Sequence, residues 1–286
     1  MASHPRKLVR GIYVPVATFF LPDEDQSLDL ETHKEHILWI ARAGVHGILV
    51  QGSTGEAVAL TPEEKIQLTS TTRKVLDENG YHDVILIVGA GAQSTGEAIS
   101  LARDAAKAGG DYIMVLPPAY FASSITAEAV EGYYTEIADK SPLPVLIYSY
   151  PTASGGLEVT ADSIQRLAKH PNIVGVKQTD HNVAKMARNA YKTDPATFSV
   201  LAGATDYLIG ALAVGAKGAI TGLGNIAPRL SLRLFDLWES GQLSEARELQ
   251  GLVASGEWAL LQAGIPGIKA GVHLFFCHPM REYNLM

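Results

Sequence analysis

The chain of 286 residues contains one cysteine, Cys277, so no internal disulfide can form and a secreted disulfide-bonded scaffold is excluded. It contains no Asn-x-Ser/Thr glycosylation acceptor. No uncharged apolar run reaches the ~18 residues of a membrane span; Val145–Tyr150 is apolar but is stopped by Pro144 and Pro151. Positive charge is also scarce. Lys and Arg number 23 against 30 Asp and Glu, a formal charge of −7. Nucleic acids and anionic membranes select basic surfaces, so neither is expected as a partner. Met1–Gly11 carries basic residues with no apolar core behind them, unlike a secretory signal, and the expected location is cytoplasmic. What the chain does have is a 47% hydrophobic fraction, ordinary for a globular protein and too high for a disordered one.

Those apolar residues fall into eight short runs: Tyr13–Thr18, Gly47–Val50, Val84–Val88, Tyr112–Leu116, Val145–Tyr148, Ile173–Lys177, Phe198–Leu201 and Gly218–Thr221. Continuous apolar runs suit strands buried on both faces of a parallel sheet. Longer segments of helical spacing lie between them. Thr61-Pro62-Glu63-Glu64 is a helix start, with an N-capping Thr, Pro in the first turn and acids after it. Thr126 with Glu128 and Thr160 with Asp162 mark further starts, and Gly44 and Gly109-Gly110 sit where helices should end. Pro228 opens another helix, and Ser244–Gln262 and Ile268–Phe276 add two more. Periodicity does not separate a closed barrel from an open doubly wound sheet, but eight strands in this length favour the barrel. The expected fold is α/β, a (β/α)8 TIM barrel over residues 1–240 with a C-terminal helical appendage over 241–286 packed on it.

In such a barrel, chemistry sits at the C-terminal ends of the strands. Three of these windows carry reactive residues. Lys177 closes the sixth apolar run. It is either a lysine whose head snorkels to the rim or a desolvated amine able to attack a carbonyl. Tyr148 and Tyr150 end the fifth run on one face, as packing aromatics or as a phenol that moves a proton beside Lys177. Gln51-Gly52-Ser53-Thr54-Gly55-Glu56 follows the second run. It is an ordinary tight turn or an anion-binding nest of consecutive N–H groups, suited to a carboxylate since no Walker lysine follows.

Gly52-Ser53-Thr54-Gly55-Glu56, Tyr148-Ser149-Tyr150-Pro151 and Gly175-Val176-Lys177-Gln178-Thr179 stand in the order and spacing of the dihydrodipicolinate synthase / N-acetylneuraminate lyase family, which the chain resembles over about residues 10–272. Leu116-Pro117-Pro118-Ala119-Tyr120, Leu201-Ala202-Gly203 and Gly215–Thr221 extend the resemblance. It implies a (β/α)8 barrel, a homotetramer, and a Schiff base between a lysine and pyruvate or another 2-oxo acid, with no cofactor. It also implies roles. Lys177 takes that of the Schiff-base lysine, and Tyr148 that of the proton-relay tyrosine with Thr54 as its hydroxyl partner. Ser53 and Thr54 take that of the carboxylate clamp, and Ile220 that of a backbone lining the pyruvate pocket. Tyr120 takes that of a tyrosine reaching a neighbouring subunit's site.

The synthases carry an arginine for a second substrate carboxylate where this chain has Ala153, with Ser154 beside it. That departure, and the segment around Gly203, resemble the branch of 4-hydroxy-2-oxoglutarate and 2-keto-3-deoxy-sugar-acid aldolases. Ser154, Tyr150 and Thr179 would then meet hydroxyls of the substrate. The expected activity is a metal-free class I cleavage of a 4-hydroxy-2-oxo acid. The rivals are dihydrodipicolinate synthesis and a non-catalytic member that binds a 2-oxo acid.

Other features are expected to be bland. His33 and His36, flanked by Glu31, Lys34 and Glu35, read as a solvated helix face, and no metal site is expected. Gly89-Ala90-Gly91 is an incomplete dinucleotide loop, with Ser94 where a third glycine belongs. Lys107, Lys140 and Lys185 read as solubility charges on helices.

Overall fold

The computed structural model describes residues 8–277, with side chains to residue 274; the end of the appendage expected over 241–286, from residue 278 on, lies outside the described residues. Eight parallel strands follow one another round a closed barrel: β1 Gly11–Pro15, β2 Gly47–Val50, β3 Ile85–Gly89, β4 Tyr112–Val115, β5 Val145–Ser149, β6 Ile173–Gln178, β7 Ser199–Ala202 and β8 Gly218–Ile220. The helices between and after them are α1 Leu30–Arg42, α2 Pro62–Glu78, α3 Thr95–Lys107, α4 Ala127–Lys140, α5 Ala161–Leu167, α6 Val183–Lys192, α7 Leu208–Ala213 and α8 Pro228–Glu239. The chain is therefore a TIM barrel rather than an open sheet.

Strand alternation divides the apolar residues between two cores. Tyr13, Leu49, Ile85, Ile87, Met114, Leu146, Leu201 and Ile220 fill the barrel interior. Ile12, Val14, Ile48, Val50, Leu86, Val88, Ile113 and Ile147 face outward against the helices. This is why the runs read as continuously apolar. The first strand ends earlier than its sequence suggests. Beyond Pro15 the Ala17 amide is captured by the Asn225 side chain at 3.1 Å, which draws the chain away from the sheet. At the opposite end, Leu8 is buried in the inner core and its amide donates to the Tyr112 hydroxyl at 2.9 Å, closing the floor. Thr61 and Glu64 form a reciprocal capping box on α2, and Thr126 and Thr160 cap α4 and α5.

Two expectations about surface residues are corrected. His33 and His36 are buried, not solvated: their spacing puts them on the face of α1 that also carries Ile37 and Ile40. His33 Nε2 lies 2.8 Å from the Thr72 hydroxyl, and His36 Nε2 lies 3.0 Å from Asn225 Oδ1. Burial lowers their pKa values to about 3 and about 4, so both are neutral packing residues at physiological pH. Lys185 is likewise buried. Its ammonium meets Asp180 and Glu158 at 2.9 Å each and the Ser149 hydroxyl at 3.3 Å. It ties the start of α6 to the ends of β5 and β6, whereas Lys107 and Lys140 are exposed and pair along their own helices. Gly89 has a packing reason of its own: a Cβ there would lie 1.8 Å from the Gln51 carbonyl oxygen on the loop after β2.

After α8 the chain runs into α9, Leu243–Cys277, broken at Gly264 (φ 62°, ψ −154°) and followed by Pro266. Only glycine adopts that backbone readily, and proline cannot continue the ladder, so the sequence builds two helices across a corner. This corner lies over the C-terminal mouth of the barrel.

Candidate active site

The register of the sheet pairs Tyr148 on β5 directly with Lys177 on β6. Both side chains point into the barrel and both are buried. The Lys177 amine donates to the Tyr148 hydroxyl at 3.2 Å and lies 4.4 Å from the centre of its ring. Burial disfavours the ammonium and lowers the Lys177 pKa to about 7, against a smaller opposing pull from the Glu257 carboxylate. A large share of this amine is therefore neutral and nucleophilic near pH 7, which an exposed lysine is not. Burial pushes Tyr148 the other way, up to about 12, while the Ser53 and Thr179 hydroxyls pull it down. The phenol keeps its proton and can pass it on while accepting another. Tyr150 stacks on Tyr148, with ring centres 5.6 Å apart.

The turn after β2 is held by its flanks. Gln51, at φ 59°, donates from its side chain to the Thr69 hydroxyl at 2.7 Å, and Thr18 donates to the Gly55 carbonyl at 2.7 Å. These anchors present Ser53 and Thr54 to a cavity of about 200 Å³ at the mouth of the barrel. Lys177, Tyr148, Tyr150, Thr179, His181 and Gly203 share its wall. Gly203 is required there by close approach: a Cβ would lie 2.2 Å from the Thr179 hydroxyl oxygen. Leu260, Leu261, Gly264, Ile265 and Ile268 of α9 form an apolar roof, and Glu257 projects from the same helix.

The barrel thus gathers Lys177, Tyr148, Ser53, Thr54 and Gly203 at one cavity. Thr54 lines it beside Ser53, with Tyr148 and Thr179 on the same wall. Ile220 ends β8 in the inner core. Ser154 is not on the cavity wall; it is buried in the turn after β5, and its hydroxyl has no hydrogen-bond partner among the described residues. Tyr120, in the loop after β4, is 82% exposed and packs edge-on against Phe121, which is 69% exposed.

Sequence reasoning passed over two titratable wall residues. His181, at φ 52°, is 3.0 Å from Asp206, and that contact raises its pKa. Glu257 had a readable signal: it is the only charged residue between Glu248 and Lys269, in a stretch of helix otherwise uncharged. Among the described residues no three His, Cys, Asp or Glu side chains gather as a metal site, and no helix is long and apolar enough to cross a membrane.

The sequence matches the dihydrodipicolinate synthetase family over residues 8–275. It is 42% identical over 275 residues to the "Probable 4-hydroxy-2-oxoglutarate aldolase, mitochondrial" of Emericella nidulans, covering 96% of this chain and 87% of that protein. It is 37% identical over 279 residues to the L-threo-3-deoxy-hexylosonate aldolase of Hypocrea jecorina, covering 95% and 88%. Among solved structures it is similar to a prophage protein of E. coli K12 belonging to the dihydrodipicolinic acid synthase family, in complex with pyruvate. The TM-score there is 0.84 and the identity 30%, covering 94% of this chain and 89% of that one.

Proposed function

The chain belongs to the dihydrodipicolinate synthetase family, and from that premise we propose that it is a metal-free class I aldolase that cleaves a 4-hydroxy-2-oxo acid to pyruvate and an aldehyde. The observation that carries the proposal is the buried Lys177–Tyr148 pair, an amine with a pKa lowered to about 7 against a phenol that stays protonated.

In the proposed reaction, Lys177 Nζ attacks the C2 ketone, and the carbinolamine loses water to give an iminium. Ser53 and Thr54 receive the C1 carboxylate at the turn after β2. The C4 hydroxyl gives its proton to Tyr148 as the phenol passes its own on to the substrate carboxylate. The C4–O electrons form the aldehyde, the C3–C4 bond breaks, and its electrons reduce the iminium to an enamine. The stored proton returns to C3, water hydrolyses the new iminium, and pyruvate leaves. One water is released and one consumed, so the sum is substrate to pyruvate plus aldehyde. A positioned acid/base of this kind contributes roughly 10²–10⁴-fold.

The far end of the cavity favours aldol cleavage over dihydrodipicolinate synthesis. A synthase must hold a second carboxylate, which a planar guanidinium does well. Ala153 offers no donor, and Lys177 is the only lysine or arginine on the cavity wall among the described residues. Tyr150, Thr179 and His181 offer groups suited to substrate hydroxyls. The names of the relatives divide between 4-hydroxy-2-oxoglutarate and a 3-deoxy sugar acid. The test is kcat/KM for both substrates against kcat/KM for aspartate semialdehyde with pyruvate. At least one cleavage should exceed the condensation by more than about tenfold, a difference of ~1.4 kcal/mol in transition-state binding. The reverse order would make the chain a synthase.

We further propose a homotetramer in which the exposed Tyr120–Phe121 pair meets a second subunit near its site. Light scattering should give the tetramer mass. A fully active monomer at working concentration would refute a shared site. The single cysteine and the lack of glycosylation acceptors fit a cytoplasmic location, our proposal, and equally the mitochondrion in the name of the Emericella nidulans relative; cell fractionation decides between them.

A further inference from the structure

The sequence treats the C-terminal helices as an appendage. The cavity does not: its roof is α9, and α9 delivers a buried carboxylate to the wall. Glu257 Oε2 accepts from the Thr205 amide at 2.7 Å, the Thr205 hydroxyl at 2.8 Å and the Asp206 amide at 2.7 Å. Its Oε1 accepts from the Thr221 hydroxyl at 2.7 Å. These four donors come from the loops after β7 and β8, directly beyond Gly203 and Ile220. A buried acid costs stability unless it is satisfied, and these four donors fill the acceptor sites of an ionised carboxylate, so the site is built to hold a charge at the cavity.

We propose that Glu257 is a positioning residue of the aldolase site, pinning the loops after β7 and β8 beneath α9 and providing the countercharge for the cation that forms at Lys177. The proposal rests on the Schiff-base reading above. Condensation turns a neutral amine into an iminium inside a desolvated cavity, where a lone cation is costly. The wall carries no other carboxylate among the described residues. Asp206 and Asp180 stand just behind it: Asp206 is engaged with His181 at 3.0 Å and Asp180 with Lys185 at 2.9 Å. The remaining titratable groups facing Lys177 and Glu257 are Tyr148 and Tyr150 from β5 and the segment after it, His181 after β6, and Tyr207 after β7. Of these, His181 alone has an ordinary pKa near neutrality. Glu257 raises the Lys177 pKa against the larger effect of burial, and burial holds its own pKa above the ordinary carboxylate value.

The test is the pH profile of kcat/KM in Glu257→Gln, a change of charge with little change of shape. Without the negative neighbour the ammonium of Lys177 is less favoured. The acid limb should therefore move to lower pH by about half a unit or more. At pH 8, where the amine is neutral in both proteins, kcat should fall about tenfold because the iminium has lost its countercharge. His181→Asn, made in both backgrounds, removes the other group that titrates in this range. A folded Glu257→Gln protein whose acid limb stays in place overturns the proposal, even if its activity is reduced, since a purely structural carboxylate would give that result. Should Glu257→Gln fail to fold, Thr221→Val removes one donor and keeps the acid. The carboxylate then protonates more readily, and the limb should shift the same way by a smaller amount; an unmoved limb again overturns the proposal. Wild-type protein treated with pyruvate and borohydride separates the two failures. No adduct on Lys177 removes the aldolase reading and this inference with it. An adduct combined with an unmoved limb removes this inference alone.

Discussion

Lys177→Arg is expected to lower kcat by at least about 10⁴-fold while leaving the barrel folded, as the loss of a covalent nucleophile does. Arginine stays cationic at any working pH and has no free electron pair to attack a ketone. Burial brings the pKa of the wild-type amine to about 7, which leaves a neutral fraction with a free electron pair. A guanidinium at the same place resists deprotonation whatever the burial. Lys177→Met separates chemistry from charge. Its side chain is of similar length and apolar, and Lys177 is buried in the barrel beside Tyr148 with no ion pair to another side chain among the described residues. The Met protein should therefore be equally inactive and at least as stable to heat. Substantial turnover by either variant would show that another group performs the attack.

Tyr148→Phe should lower kcat by about 10²-fold or more, the loss of one positioned acid/base. The ring remains to stack on Tyr150, so packing is little changed. What disappears is the hydroxyl that accepts from Lys177 at 3.2 Å and on which Ser53 and Thr179 act. Imine formation with pyruvate should persist at a reduced rate, because the amine is still desolvated. Single-turnover kinetics should show an enzyme that condenses with the ketone and then stalls at C3–C4 cleavage. A Phe variant within threefold of wild type in kcat would remove Tyr148 from the proton path.

The parts of this molecule that were legible in the sequence are those set by local pattern. The eight strands stand out because residues such as Ile48 and Leu49 are buried on opposite faces of one sheet, giving apolar runs with no polar phase. Lys177 and Tyr148 stand out because each closes such a run, and consecutive strands of a barrel are neighbours. What escaped depends on partners far away in the chain. Lys185 looks like any helix lysine until Glu158, from the segment before α5, joins Asp180 of the preceding loop around its ammonium. His33 and His36 sit among charges in the sequence, yet their three-residue spacing runs on into Ile37 and Ile40, and that apolar phase decides their burial. Thr54, assigned to Tyr148 by resemblance, lines the cavity with it, together with Ser53 and Thr179. Glu257 was the hardest to see. A single acid in an otherwise uncharged helical stretch is visible in the sequence, but its place over the barrel mouth is fixed by Thr205, Asp206 and Thr221 on the loops after β7 and β8.

The central claim is that Lys177 forms an imine with a 2-oxo acid. The direct measurement is peptide mapping after the protein is mixed with pyruvate and reduced with borohydride, which fixes an imine as a stable secondary amine. One adduct should appear, on the peptide carrying Lys177, with loss of activity in proportion to labelling. An adduct on a different lysine, or full activity with no adduct under saturating pyruvate, would contradict the account.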